Sequence, residues 1–428
     1  MLTIYQFAAE EAALRQQLKR SVAFDAEALR TVDDILRRVR EEGDAALLDL
    51  TARFQGAKLA DMAVSADEID RAYREADQAF LDILREACRN ITAFHRHEAE
   101  RSFFYEEPGG VILGQRVTPM ERALLYVPGG KAAYPSSVLM NAVPATVAGV
   151  GEVFMTTPCD ASGTVNPHIL AAAKVAGIEK VYKLGGAQAI AAFAFGTETI
   201  PKVDIITGPG NKYVALAKKQ VFGHVSIDSI AGPSEVVVIA DEKADPAFIV
   251  MDLFAQAEHD PDASAVLITP SAALARSVSE TAERLLGSMH RKEVIAGALK
   301  NNGAIVVVDS LEEACRVSDM IAPEHLELHV LNPWELLPSL RHAGAIFMGQ
   351  YSCETVGDYF AGPNHTLPTN GTAKFFSPLS VRDFVKHTSI ISYSRERLRQ
   401  SGEQIARFAD HEGLQAHAEA VRVRLRTV

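Results

Sequence analysis

The chain has 428 residues, 48% hydrophobic and 23% charged, the make-up of an ordinary soluble globular protein with length enough for about two to four compact units. Its formal net charge of -12 offers no basic stripe to neutralise a phosphate backbone, so nucleic acid is not an expected partner. The N-terminus MLTIYQFAAEEAALRQQ lacks the cationic start and apolar core of a signal peptide, and the most apolar long window is interrupted by Asn141, Pro144, Thr146 and Glu152. No membrane association and a cytoplasmic location are therefore expected.

From about Ser21 to His97 the pattern is helical. TVDDILRRVREEGDAALLDLTARF and AFLDILREACRNITAFHRH repeat apolar residues at i, i+3, i+4 and i+7. The middle of the chain reads differently. RALLYVPGG, GEVFMTTP, KVYKLGG, VDIITGPG, EVVVIADE, SAVLITPS and AIVVVDS are short apolar runs that stop at Gly, Pro, Asp or Ser, mostly with helical stretches between them. That alternation predicts parallel βαβ units whose strands are buried on both faces, and SIAGPS near Ile230–Ser234 is a plausible crossing between two of them. After about Ser377 a charged, amphipathic helical tail is expected, of the kind that packs on its own body or on a partner. No internal repeat is visible in the sequence.

Several stretches could carry chemistry. FAQAEHDPDA places Gln256, Glu258 and His259 where an apolar helix runs into a turn; Gln256 and His259 are either an i, i+3 pair on a wet face or two metal ligands. VPGGKAAYPSS, KLGGAQAI and TGPGNKYV are glycine-rich turns after apolar runs, where backbone N–H groups can approach a phosphate, although none matches G-x-G-x-x-G. APEHLEL sets Glu324 beside His325 after Pro323, so both reach one site only at a bend or a helix start; otherwise Glu324 is a helix N-terminal charge and His325 a surface residue. Asp358 and His365 in GDYFAGPNHTLPT, and His411, Glu412 and His417 in HEGLQAHAEA, are of metal-ligand type. They lack the close spacing of a zinc finger or of H-E-x-x-H, so any metal site must assemble from distant segments. Cys88, Cys159, Cys315 and Cys353 have no CxxC spacing and are expected as thiols without a catalytic role.

Together and in this order, YVPGG, GGAQAIAAFAFGT, TGPGN, AGPSE, QAEHDP, APEHLEL, GDY, GPNHTLPT and HEGLQAH resemble the histidinol dehydrogenase family over nearly the whole chain. The resemblance implies an α/β fold of two incomplete Rossmann-like domains with parallel sheets, plus a small N-terminal arm and a helical C-terminal tail. Placed on this sequence, the arm is residues 1–24, the first domain 25–125 with 235–376, the second 126–234 and the tail 377–428. It implies zinc held by Gln256, His259, Asp358 and His417, with His325 as general base and Glu324 activating water. Substrate would touch Ser234, His365 and Glu412 as well as the metal ligands and Glu324, and NAD would meet Tyr126, Gln188 and Asn211. The implied reaction is oxidation of L-histidinol to L-histidine by two NAD-dependent steps, in a homodimer whose tails complete each other's sites with Glu412 and His417. The alternative is a relative that oxidises another small polar alcohol to its acid.

Overall fold

The structure is a computed structural model that describes residues 2–18, 26–129 and 133–427. The expected boundary at 24/25 and part of the VPGGKAAYPSS turn lie outside the described residues. Fourteen strands occur among the described residues: β1 (Thr3–Gln6), β2 (Phe103–Glu107), β3 (Val111–Pro119), β4 (Arg122–Tyr126), β5 (Glu152–Thr156), β6 (Lys180–Tyr182), β7 (Ile205–Thr207), β8 (Ser226–Ile227), β9 (Glu235–Ala240), β10 (Ser264–Thr269), β11 (Gly303–Val307), β12 (His325–His329), β13 (Ala345–Met348) and β14 (Val385–Ser392). They divide between two compact units. One holds Glu121–Phe384 and the residues before Ala99; the other holds Ala99–Met120 and the residues from Val385 onward.

The first unit contains two all-parallel sheets. One runs β6-β5-β4-β7-β8 and the other β1-β11-β10-β9-β12-β13. All seven apolar runs singled out in the sequence are strands of these sheets, and SIAGPS joins one sheet to the other. Leaving β1 aside as an added edge, each sheet has the same spatial order: third, second, first, fourth, fifth. The topology repeats although the sequence does not. In such sheets the connections leave in opposite directions on either side of the first strand, which opens a crevice beside it.

Burial follows the strand pattern. All six residues of β9, EVVVIA, are buried, Val236 and Val238 facing one apolar cluster and Val237 and Ile239 another. Leu124 and Leu125 of β4 likewise face separate clusters on the two sides of their sheet. A fully buried Val, Ile or Leu side chain contributes about 1.5–3 kcal/mol, so these four clusters hold each sheet between its helices.

The N-terminal helices group differently from the expectation, and the arm and the tail each contribute a strand. Helix Ala26–Glu42 packs on helices Gly186–Phe195 and Lys212–Val221, Ala66–Glu75 on Pro167–Val175, and Gln78–His95 on Pro135–Ala148. These N-terminal helices thus cover the five-stranded sheet, whereas the sequence reading grouped 25–125 with 235–376. The N-terminal arm also supplies β1, which extends the six-stranded sheet through its pairing with β11. Finally, the tail is not all helix: β14 pairs antiparallel with β3, which pairs with β2, and only then do helices Arg395–His411 and Gln415–Leu425 pack on each other. That three-stranded sheet and helix pair form the second unit.

Candidate active site

His325 opens β12 between β9 and β13, and its ring is buried. Helix Leu311–Ile321 ends at Ala322 in the left-handed region (φ 52°), and Pro323 and Glu324 then lead straight into the strand. Glu324 and His325 therefore occupy neither a helix start nor the surface. Glu324 is buried too, its Oε2 accepting a hydrogen bond from the backbone N–H of Glu235 at 2.9 Å. The same residue's carbonyl lies 3.1 Å from His325 Nδ1. A carbonyl only accepts, so Nδ1 carries the proton and Nε2 keeps its lone pair. Nε2 is buried without a hydrogen-bond partner. Burial pushes the His325 pKa down to about 3 against the opposing Nδ1 hydrogen bond, so the ring is neutral near pH 7 and its 3.7 Å approach to Glu324 is not an ion pair.

Gln256 is the last residue but one of helix Pro246–Ala257 and is fully buried, which removes the wet-face alternative; His259 lies two residues beyond the helix end, in the turn, with its N–H on the Gln256 carbonyl at 3.2 Å. The two are neighbours, but His259 is not on the helix. The hydrogen-bond network orients the Gln256 amide so that its nitrogen donates to both oxygens of Glu354, at 2.5 and 2.8 Å; the same nitrogen lies 3.1 Å from His325 Nδ1, an approach of two donors once Nδ1 donates to the Glu235 carbonyl. The oxygen then takes the place 3.4 Å from His259 Nδ1. Zinc bonds of about 2.0–2.1 Å set tetrahedral ligand atoms about 3.3 Å apart, so an amide oxygen and an imidazole at this spacing fit a shared metal. His259 is accessible, yet enough protein crowds it to lower its pKa, which keeps the ring neutral and able to ligate.

Asp358 lies in the turn of π-helix Gly357–Ala361, and burial raises its pKa to about 7. His325 Nε2 is 3.9 Å from Glu354 Oε1 and 4.0 Å from Asp358 Oδ1, which makes these three a second geometric candidate for a cation. Those separations exceed the tetrahedral edge of about 3.3 Å, so His325 is better placed as a base beside the metal than as a ligand. Glu354 escaped the sequence reading. Its only signal was its position four residues before Asp358 in ETVGD, and burial with the charges of Asp358, Glu324, Glu327 and Asp252 raises its pKa well above the carboxylate range.

One cavity of about 720 Å³ in the first unit is lined by Ser234, His259, Glu324, His325, Asp358 and His365, with Asn211 also on its wall. The imidazole of His365 donates from Nδ1 to the Asp358 carbonyl at 3.1 Å and meets Ser137 Oγ through Nε2 at 3.3 Å. Segments far apart in the sequence thus meet here.

Three further sequence candidates, Tyr126, Gln188 and Asn211, belong to strands of the five-stranded sheet or to the segments that follow them. Tyr126 ends β4, and its hydroxyl accepts from the Gly186 N–H at 3.1 Å; Gln188 is buried two residues further on with its Nε2 unpaired. Asn211 caps helix Lys212–Val221 by accepting from the N–H groups of Tyr213 and Val214. Tyr126 is thus at the carboxyl end of β4, Gln188 in the first turn of the helix that follows β6, and Asn211 at the start of the helix that follows β7. The TGPG turn admits only glycine at 208: φ is 109°, and a Cβ would fall 2.0 Å from the Tyr126 carbonyl oxygen. Lys218, bonded to the Gly208 carbonyl at 2.8 Å and paired with buried Asp228, braces that turn, a role the sequence did not disclose.

Glu412 and His417 belong to the second unit and are exposed, at the end of helix Arg395–His411 and on helix Gln415–Leu425. His411 is exposed beside them. The cysteines are free thiols; burial raises the pKa of Cys88, Cys159 and Cys315, the reverse of what activates a nucleophile. No helix among the described residues is long and apolar enough to cross a membrane.

Two parallel α/β sheets, with a buried neutral imidazole, a buried carboxylate and residues of metal-ligand type in one cavity, define an enzyme equipped for acid–base work. The family described as histidinol dehydrogenase matches residues 18–425, and the chain belongs to it. It is 78% identical over 426 residues to a histidinol dehydrogenase of Chlorobaculum tepidum, with all of both chains covered. It is 54% identical to one from Geobacillus kaustophilus, across 92% of this chain and 93% of that one. A crystal structure of histidinol dehydrogenase from Elizabethkingia anophelis superposes with a TM-score of 0.93 at 38% identity, covering 97% of this chain and 96% of that one. The protein is accordingly an oxidoreductase.

Proposed function

We propose that the protein oxidises L-histidinol to L-histidine through the aldehyde, in two NAD-dependent steps, as the last reaction of histidine biosynthesis in the cytoplasm. The observation that supports this above the others is the buried, neutral His325 with an uncommitted Nε2 next to the buried carboxylate of Glu324. When bound, NAD supplies the hydride acceptor and zinc a Lewis acid that grips the substrate's nitrogens. Gln256 through its oxygen, His259, Asp358 and the partner subunit's His417 would hold the zinc; Tyr126, Gln188 and Asn211 would meet NAD.

The chain's own groups match the proton traffic. Oxidising the alcohol removes a hydride from carbon and a proton from oxygen, and His325 Nε2 takes that proton. The aldehyde must then gain water before a second hydride can leave. Glu324 draws a proton from that water, and the hydrated aldehyde loses its second hydride and proton to give the acid. Two hydrides and, after the acid ionises, three protons leave in all. No cysteine is needed. Ser234, His365 and the partner's Glu412 would contact the substrate, which makes the working form a homodimer.

This division of labour predicts that Glu324→Gln slows oxidation of histidinaldehyde by about 10²–10⁴-fold, the usual range for a lost general base, and slows oxidation of the alcohol far less. Supplying the two substrates separately and following absorbance at 340 nm measures both. Equal losses in the two half-reactions would remove Glu324 from the water step.

A further inference from the structure

A second set of ligand-type side chains lies next to the first and takes no part in the chemistry above. Asp252 stands four residues before Gln256 on helix Pro246–Ala257, hence on the same helix face. Glu327 and His329 follow His325 at alternate positions of β12, hence on the same strand face. The Glu327 and His329 side chains are fully buried, and that of Asp252 is 13% exposed.

The distances among them are those of a metal site. His329 Nε2 lies 3.2 Å from Glu327 Oε2 and 3.4 Å from Asp252 Oδ2. A tetrahedral zinc with bonds of about 2.0–2.1 Å requires ligand edges of about 3.3 Å. Neither approach is aligned as a hydrogen bond: Glu327 Oε2 and both ring nitrogens of His329 are buried without a hydrogen-bond partner. Glu327 is held in place from its other side, Oε1 accepting from the Glu354 N–H at 2.7 Å. Unpaired buried groups of this kind are costly, and a neutral imidazole needs both an acceptor and a donor, or a cation in place of the donor.

We infer that Asp252, Glu327 and His329 form a second divalent-cation site, separate from the catalytic metal, whose geometry suits zinc. Two carboxylates, one neutral imidazole and a divalent cation sum to zero charge, which removes the penalty for burying two like charges together. Asp252, the one ligand that touches solvent, leaves a path for the ion and a water to complete the shell. Burial, helped by the charge of Glu327, pushes Asp252 up to about 8, and burial pushes Glu327 up to about 7 against the hydrogen bond it accepts from the Glu354 N–H and the one it shares with Asp252, so without a cation the pair would keep a shared proton, which the metal displaces. A shared proton alone would still leave the His329 nitrogens unmet. The cation would tie the helix carrying Gln256 to the strand carrying His325, bracing the catalytic centre without touching substrate.

The test is a zinc count per chain after equilibrium dialysis of the full-length enzyme against zinc sulfate. Wild type is expected to bind one zinc more than His329→Asn, while His329→Asn still turns over histidinol; His259→Ala, which lacks a catalytic-site ligand, is expected to keep one. Asp252→Asn, which preserves shape, repeats the count should His329→Asn fail to fold. Equal zinc in wild type and either folded variant, or a zinc-free His259→Ala, would overturn the second site. A count unchanged by His259→Ala would instead count against the first site, so the two failures are told apart.

Discussion

Replacing His325 by asparagine is expected to lower turnover of both the alcohol and the aldehyde by about 10²–10⁴-fold, with the fold and the zinc content intact. Each half-reaction loses a proton from oxygen as hydride departs, so both need the Nε2 lone pair. Asparagine can still donate to the Glu235 carbonyl as Nδ1 does at 3.1 Å, but it offers no basic nitrogen. Zinc should survive because the distances from Nε2 to Glu354 and Asp358, 3.9 and 4.0 Å, are too long for His325 to be a tetrahedral ligand. Separate assays on the two substrates, circular dichroism and metal analysis check this. Loss of zinc together with activity would make His325 a ligand, and loss confined to the aldehyde would exchange its role with that of Glu324.

The second large effect is recovery of activity from two dead variants. If His417 is donated across the dimer, a complete site needs Glu324 from one chain and His417 from the other. His417→Ala and Glu324→Ala, each inactive as a homodimer, are co-expressed. Random pairing makes about half the dimers mixed, and each mixed dimer has one site with both lesions and one with neither. About a quarter of all sites should then work. If His417 serves its own chain, every site carries one lesion and nothing returns. Co-expression is used so that mixed dimers form during folding and no exchange of subunits between folded dimers is needed. A tag on one chain verifies that mixed dimers formed; an inactive mixture that contains them would refute the shared site.

Seven parallel strands, β4 to β7 and β9 to β11, were legible in the sequence as short apolar runs ended by Gly, Pro, Asp or Ser, whereas the short or edge strands β1, β8 and β13 were not. β12 was not, because HLELH alternates polar and apolar residues: its polar side chains point into two buried polar clusters, not into solvent. β14 was missed because VKHTSIIS is largely exposed and sits before a strongly helical stretch. Gln256, His259, Glu324, His325 and Asp358 were named from motifs, whereas Glu354, the Glu235 backbone and the Lys218–Asp228 brace became visible only once distant segments met. Spacing along a chain reports neighbours on one element, and these contacts span 89 residues in the case of Glu235 with Glu324.

The most direct measurement of the central claim is the number of NADH formed for each histidinol consumed, followed at 340 nm to completion with histidine quantified in the same sample. Two NADH per histidinol, with histidine as the product, is the expected result: one site supplies both the base and the water-activating carboxylate. One NADH per histidinol, with aldehyde released, would contradict it.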